Sequence, residues 1–413
     1  MYFSSFDKSE CCACTACEHA CPTKSIKFRM DEEGFKYPII NHDTCVNCGL
    51  CERICPVSNP NYDNSETPDT YASMIKDIDE RKKSSSGGMF FVIAEWTIKK
   101  GGIVYGAAFD DMLKLSHIGV ESIEDLQKLR GSKYLQSDLK DVFAEIKSHL
   151  INGRWCYFVG TGCQVAGLKS FLIKDYLTLL TSDLVCHGVP SHKLFDIHIK
   201  YLERKEKGLV SDYQFRDNAL WGGCEIFNLA TQNGKIKTIK HPSYELSPYL
   251  YSFMYAYTYR YSCYDCKFAC VPRQGDITIA DFWGVKEFFS YLDSTHGVSL
   301  ILINNKQGNL IWNEVKEQCE FYKSNVEDGA KFNASLTNIT PMPPIRESVY
   351  KLISKYGYQY VATHEFKSPR YMRIKIYYYV NSSKFFSSFK GIYRIVKSLL
   401  KIKFIADDNI KRR

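Results

Sequence analysis

Between Thr70 and Glu365, short apolar runs alternate with stretches of helical periodicity. The runs at Tyr71–Ile75, Ile103–Phe109, Trp155–Val159 and Leu177–Val185 are of strand length and mostly apolar, as strands covered on both faces are. Between them, Met89–Lys99, Asp138–Leu150, Val165–Ile173 and His192–Arg204 space their apolar positions as helices do. This alternation predicts βαβ units, and so an α/β domain with a mainly parallel or mixed sheet. Around Gln214–Lys240 the pattern changes to two alternating runs about Asn233-Gly234, a hairpin signal. Strands return at Ile277–Phe282 and Val298–Asn304.

The flanks read differently. Ser25–Pro38 predicts a short hairpin turning at Glu33-Gly34, and Asn59–Pro68 is a polar, Pro/Asn-rich linker. Near the other end, Phe385, Phe389, Ile392, Val396 and Leu399 recur at spacings of 4, 3, 4 and 3, with Ser387, Lys390, Arg394, Lys397 and Lys401 following the same rhythm on the other side. That is an amphipathic helix with a basic face. The chain therefore divides into an α+β head (1–60), for which the cysteine spacing set out below makes a ferredoxin-like fold the expectation, a linker (61–70), the α/β domain (71–365) and a basic tail (366–413).

Composition adds a compartment and a charge asymmetry. The chain has 413 residues, 45% hydrophobic and 24% charged. No stretch approaches the ~18 consecutive apolar residues of a membrane span, and Met1–Asp7 has neither a basic nor an apolar leader region. The expected location is the cytoplasm, where 17 cysteines serve as metal ligands or reduced thiols rather than disulfides. Of the net +8, the tail from Lys367 supplies +11, with 13 Lys/Arg against Asp407 and Asp408, which leaves −3 for the rest. The tail therefore suits peripheral contact with the inner, anionic face of a membrane, or packing on the domain with its Lys/Arg face in water. It matches no nucleic-acid reading motif.

The cysteines carry the chemistry. Cys11, Cys14, Cys17 and Cys21-Pro22 have the spacing Cys-x-x-Cys-x-x-Cys-x-x-x-Cys-Pro, and Cys45, Cys48, Cys51 and Cys55-Pro56 repeat it. Three thiolates at three-residue spacing wrap one corner of a cubane, and the fourth comes from elsewhere; in two-cluster ferredoxins it crosses over. One [4Fe-4S] cluster then takes Cys11, Cys14, Cys17 and Cys55, and the other takes Cys45, Cys48, Cys51 and Cys21. Zinc knuckles also use Cys-x-x-Cys, but in two pairs rather than two quartets closing on Cys-Pro. Cys12 falls outside this register and reads as a bystander.

A second set lies downstream. Cys163 in Val159-Gly-Thr-Gly-Cys-Gln164 and Cys186 in Asp183-Leu-Val-Cys-His-Gly188 each follow a predicted strand. In open α/β sheets the strand carboxyl ends border the ligand crevice. Cys263 and Cys266 add a Cys-x-x-Cys pair. Together these four suit a third cluster, with Cys270 an alternative fourth ligand. Cys163 and Cys186 read equally well as buried small hydrophobes. Cys156 and Cys319 read as core, and Cys224 as a second bystander.

In order along residues 5–305, the double cysteine motif, Ser84-Ser-Ser-Gly-Gly-Met-Phe90, Gly101-Gly-Ile-Val-Tyr-Gly106, Leu129-Arg-Gly-Ser-Lys-Tyr134, Gly160-Thr-Gly-Cys-Gln164, Val185-Cys-His-Gly188, Phe215-Arg-Asp217, Cys263-Tyr-Asp-Cys266 and Gly275–Gly284 resemble the coenzyme F420 hydrogenase/dehydrogenase beta-subunit family. Gly162 stands where that family usually has proline. The resemblance implies an oxidoreductase with an FAD site and a main-domain [4Fe-4S] cluster on Cys163, Cys186, Cys263 and Cys266. It implies that Ser85, Ser86, Gly87 and Gly88 lie near the flavin, where a helix N-terminus of small residues suits phosphate, as do Arg130, Gly131, Ser132 and Lys133. It further implies a redox partner protein or a small-molecule hydride donor, with reduced deazaflavin coenzyme or ferredoxin as candidates. Members with a fused ferredoxin head resemble proteins found alongside surface-polysaccharide enzymes. A nicotinamide donor is disfavoured, because Gly160-Thr-Gly162 would need Gly or Ala at Val165. The alternative is an electron-transfer adaptor with no substrate chemistry of its own.

Overall fold

The computed structural model describes residues 2–217 and 222–382. Its centre is an eight-stranded mixed sheet. The strands are β3 (Asp69–Ile75), β4 (Ile103–Phe109), β5 (Leu115–Val120), β6 (Cys156–Thr161), β7 (Leu179–Leu184), β11 (Ile277–Asp281), β12 (Ser299–Ile303) and β13 (Cys319–Ser324). They lie in the order β13-β3-β12-β11-β7-β6-β4-β5. The four central strands β11, β7, β6 and β4 run parallel, and every other pairing in the sheet is antiparallel. The sheet is thus mixed, one of the two arrangements the alternation predicts, with its parallel strands at the centre.

Alternation along the central strands sorts two cores. Tyr157 and Val159 of β6, with Val104 and Ala108 of β4, face the helices Met89–Lys99 and Lys306–Val315. Cys156 and Phe158, with Ile103 and Tyr105, face the helices Val142–Ile151 and Gly162–Leu172. This second core also contains Cys12, Cys14, Ala16 and Ile54, so the N-terminal head is packed into the body rather than tethered to it.

The head carries the predicted hairpin, β1 (Ile26–Met30) against β2 (Lys36–Ile40). Its turn is clamped from the body. Arg346 donates from Nη1 and Nη2 to the two Glu33 carboxylate oxygens at 3.1 and 2.5 Å, and from Nε to the Tyr259 carbonyl. Ser191 Oγ donates to the Glu33 carbonyl at 2.7 Å. Gly34 has φ +89°, and a Cβ there would collide with Lys193 Cβ, so both backbone conformation and space require glycine. The linker is anchored as well: Tyr62 donates to the Lys267 carbonyl, and Asn64 to the carbonyls of Arg273 and Gly275.

A separate three-stranded antiparallel sheet joins β8 (Gly208–Asp217), β9 (Gly222–Thr231) and β10 (Ile236–His241). The β9–β10 hairpin turns through Asn233-Gly234 as its sequence predicts, with Gly234 at φ +71°. The expected tail helix from Phe385 lies outside the described residues. No helix among the described residues is long and apolar enough to cross a membrane.

Candidate functional site

Both strand-end cysteines stand where the sheet predicts them. β6 ends at Thr161 and the next helix starts at Gly162, so Cys163 occupies its first turn. The turn is braced by Thr161 N donating to Gln164 Oε1 at 3.0 Å. Cys186 follows the end of neighbouring β7, and Cys263 closes a short 3-10 turn, Tyr261–Cys263. Cys163, Cys186, Cys263 and Cys266 all line one cavity of about 1390 Å³. Cys270 is not on its wall; its thiol turns to the Lys267 carbonyl at 3.4 Å. Cys163 and Cys186, the two positions for which Cys270 is the alternative, both stand on that wall.

The four thiols are close enough to feel one another. Burial, then the charges of Cys163 and Cys266, pushes Cys186 up to about 12. Burial and Cys163 push Cys266 up to about 11. Cys263 is raised well above the usual thiol range by burial and then by Cys186, Cys266 and Cys163. Four half-buried thiols on one cavity wall are a donor set that could hold an iron–sulfur cluster, whose cationic iron displaces their protons.

The same cavity reaches Ser85, Ser86, Gly88, Arg130, Gly131, Ser132 and Lys133. Gly87 is set behind the wall, where a Cβ would collide with the Ser73 carbonyl and the Ser299 backbone. Ser85 Oγ accepts from Ser132 N at 3.0 Å, which ties the two loops together. Arg130 lies 3.9 Å over the Phe91 ring and pairs with Glu80 through Nη2, while its buried Nε and Nη1 have no protein partner. Lys133 is engaged elsewhere: Nζ donates to the carbonyls of Lys128, Leu129 and Arg130 at 3.3, 2.9 and 2.7 Å. Burial pushes its pKa down to about 7. Its role is to cap the short helix Leu126–Leu129, which holds Arg130 in place.

In the head, a smaller cavity of about 30 Å³ is lined by Cys11, Cys14, Cys17 and Cys55, the crossed-over quartet, together with Cys12 and with Cys51 of the other quartet. Cys17 is raised well above the thiol range by burial, then by Cys11 and Cys55. Cys21 accepts from Ser25 N at 3.3 Å, and Ser25 Oγ meets Thr44 Oγ1 at 2.8 Å, which brings it toward the Cys45 run. Cys21→Ser is therefore expected to damage the Cys45–Cys48–Cys51 cluster and spare the other; electron paramagnetic resonance showing only the Cys11–Cys17 cluster lost would overturn that assignment.

Two residues that sequence reading passes over stand between these sites. Cys12 is buried and lines both cavities, with Cys14 and Cys163 both near enough to bear on the ionisation of its thiol. Arg260 is 1% exposed and lines the large cavity. The two sites also come into direct backbone proximity: a Cβ on Gly167, in the helix that carries Cys163, would lie 2.5 Å from Cys14 Cβ. Cys156, Cys224 and Cys319 are core residues at 0%, 1% and 3% exposure.

Residues 153–328 match the family model for the C-terminal part of the beta subunit of coenzyme F420 hydrogenase/dehydrogenase, and residues 10–59 match a 4Fe-4S dicluster domain. A chain in a structure of the F420-reducing [NiFe] hydrogenase complex from Methanosarcina barkeri aligns at 17% identity and a TM-score of 0.38, covering 72% of this chain and 91% of that one. No curated protein matches.

Proposed function

Because residues 153–328 carry the C-terminal module of coenzyme F420 hydrogenase/dehydrogenase beta subunits and residues 10–59 a 4Fe-4S dicluster domain, we propose that this iron–sulfur electron-transfer protein is a flavoenzyme with three clusters. One observation carries the reading. The four downstream cysteines and seven of the eight expected flavin neighbours share a single cavity, and Cys12 and Val57 of the head form part of its wall.

The residues present fit FAD. At about 1390 Å³ the cavity exceeds the roughly 300–1,000 Å³ of ordinary ligand pockets, which leaves room beside a dinucleotide for a donor. Arg130 Nε and Nη1, buried without partners, offer two donors to a phosphate. The small residues Ser84–Gly88 let it approach the N-terminus of the helix Met89–Lys99. Bound FAD would exchange an electron pair with a hydride donor and release single electrons. Cys163, Cys186, Cys263 and Cys266 hold the adjoining cluster, and Cys11, Cys14, Cys17 and Cys55 the nearest cluster of the head. The remaining head quartet includes the exposed Cys48 and suits contact with an outside redox partner.

The test is rapid mixing of anaerobic, FAD-loaded protein with reduced deazaflavin coenzyme, with reduced ferredoxin, and with NADPH. FAD-dependent cluster bleaching by reduced deazaflavin coenzyme, and none by NADPH, is the expected outcome; reduced ferredoxin, a one-electron donor, should bleach the head clusters with or without flavin. Clusters that dithionite reduces, in a protein that binds no flavin and responds to no hydride donor, would identify an adaptor subunit instead.

A further inference from the structure

Arg260 is a buried cation that pairs with no carboxylate among the described residues. Its Nε donates to the Cys11 carbonyl at 2.6 Å, Nη1 to Gln136 Oε1 at 3.3 Å and Nη2 to the Lys36 carbonyl at 2.8 Å. All three acceptors are neutral. Its plane lies 4.1 Å over the Tyr37 ring. The other guanidinium groups buried on the cavity wall are neutralised locally: Arg130 by Glu80, Arg216 by Asp281 and Arg273 by Asp183. On the other side Arg260 lines the cavity shared by Cys163, Cys186, Cys263 and Cys266, and its carbonyl accepts from Cys263 N at 3.0 Å. Removing a guanidinium from water is costly unless an opposite charge compensates. Here the available negative charge is thiolate on either side: the Cys11 quartet in the head and the Cys163/Cys263 quartet in the body.

We propose that Arg260 is a positioning residue shared by two iron–sulfur sites, the common counter-charge of the Cys11–Cys14–Cys17–Cys55 cluster and of the Cys163–Cys186–Cys263–Cys266 cluster. The inference rests on the function proposed above, which places a cluster at the second of these. Reduction adds one negative charge to a cluster. A fixed cation in a poorly screened interior stabilises that reduced form, and charge and hydrogen bonding are among the levers that set cluster potentials. Arg260 therefore raises both potentials together. The Cys21–Cys45–Cys48–Cys51 cluster has no such contact and serves as an internal reference.

The experiment is a potentiometric titration of the anaerobic full-length chain, followed by electron paramagnetic resonance, with iron counted in every sample. Arg260→Gln is expected to shift two of three midpoint potentials downward, by about tenfold in the one-electron equilibrium or ~59 mV, with the third unmoved. Arg260→Lys keeps the charge and should restore most of the shift. Because Arg260 also clamps the head, Arg260→Gln can lose clusters. Gln136→Glu leaves Arg260 itself in place and sets a carboxylate against it, at the loss of the Gln136 Nε2 bond to the Cys12 carbonyl, and in samples that keep their irons it should lower the same two potentials. Unmoved potentials in Gln136→Glu with its irons intact overturn the proposal, as does an Arg260→Lys variant as low as Arg260→Gln. A wild-type chain with only about eight irons would instead remove the three-cluster function on which the proposal stands.

Discussion

Replacing Cys186 with Ser is expected to remove about four of roughly twelve irons from the chain while leaving the spectra of the head clusters intact. The reason is the partition of the cysteines. Cys186 shares a cavity wall with Cys163, Cys263 and Cys266, and burial together with Cys163 and Cys266 holds its proton on at about 12. A single hydroxyl in that set leaves three thiolates and one poor ligand. The head quartets draw on other residues, since Cys11, Cys14, Cys17 and Cys55 enclose their own small cavity. Cys270→Ser is the control and should keep all its iron. Iron and sulfide analysis of the two variants checks this, and equal iron in both would move the cluster away from Cys186.

Arg346→Ala is expected to cost about 3–5 kcal/mol, the usual effect of removing one partner of a buried ion pair. Arg346 is 0% exposed and Glu33 9%, so the stranded carboxylate could neither stay ionised cheaply nor reach water without opening the hairpin. The Tyr259 carbonyl would lose its donor as well. Adding Glu33→Gln should return part of the loss, because the buried charge goes with it. Anaerobic denaturant titrations of the single and double variants measure both effects. A loss below about 1 kcal/mol, the range of exposed pairs, would mean that the head is held by its apolar core alone.

Local signals in the sequence translate directly into structure, and distant ones do not. The strand Ile103–Phe109 and the helix Met89–Lys99 fall on the residues their periodicity predicts, because both are buried strongly enough for apolar spacing to dominate. The β5 edge strand leaves no such signal. Its Ser116, His117 and Gly119 break the apolar run, and His117 is buried by bonding to the Val159 carbonyl rather than by being apolar. The sheet's antiparallel margins escape sequence reading for a related reason, since periodicity reports burial and not strand direction. Asn59–Pro68 reads correctly as irregular, but composition does not say which carbonyls Asn64 will meet 209 and 211 residues away.

The candidate site shows the same division. Cysteine spacing marks the two head quartets, and strand ends mark Cys163 and Cys186 as cavity-facing residues. Local patterns carry no trace of Arg346 meeting Glu33 across 313 residues or of Arg260 reaching Cys11 across 249. Cys12 looks idle in sequence because it breaks the three-residue register, yet that offset is what turns it toward Cys163. Lys133 lines the cavity as its neighbourhood suggests, but the three carbonyls that its Nζ caps are not legible in local spacing.

Whether one chain houses a flavin and three clusters can be decided by a single analysis of its cofactor content. Protein purified anaerobically, reconstituted with iron, sulfide and FAD and freed of excess, should contain about twelve irons, about twelve sulfides and close to one flavin per chain. A preparation holding only about eight irons and no flavin would contradict it.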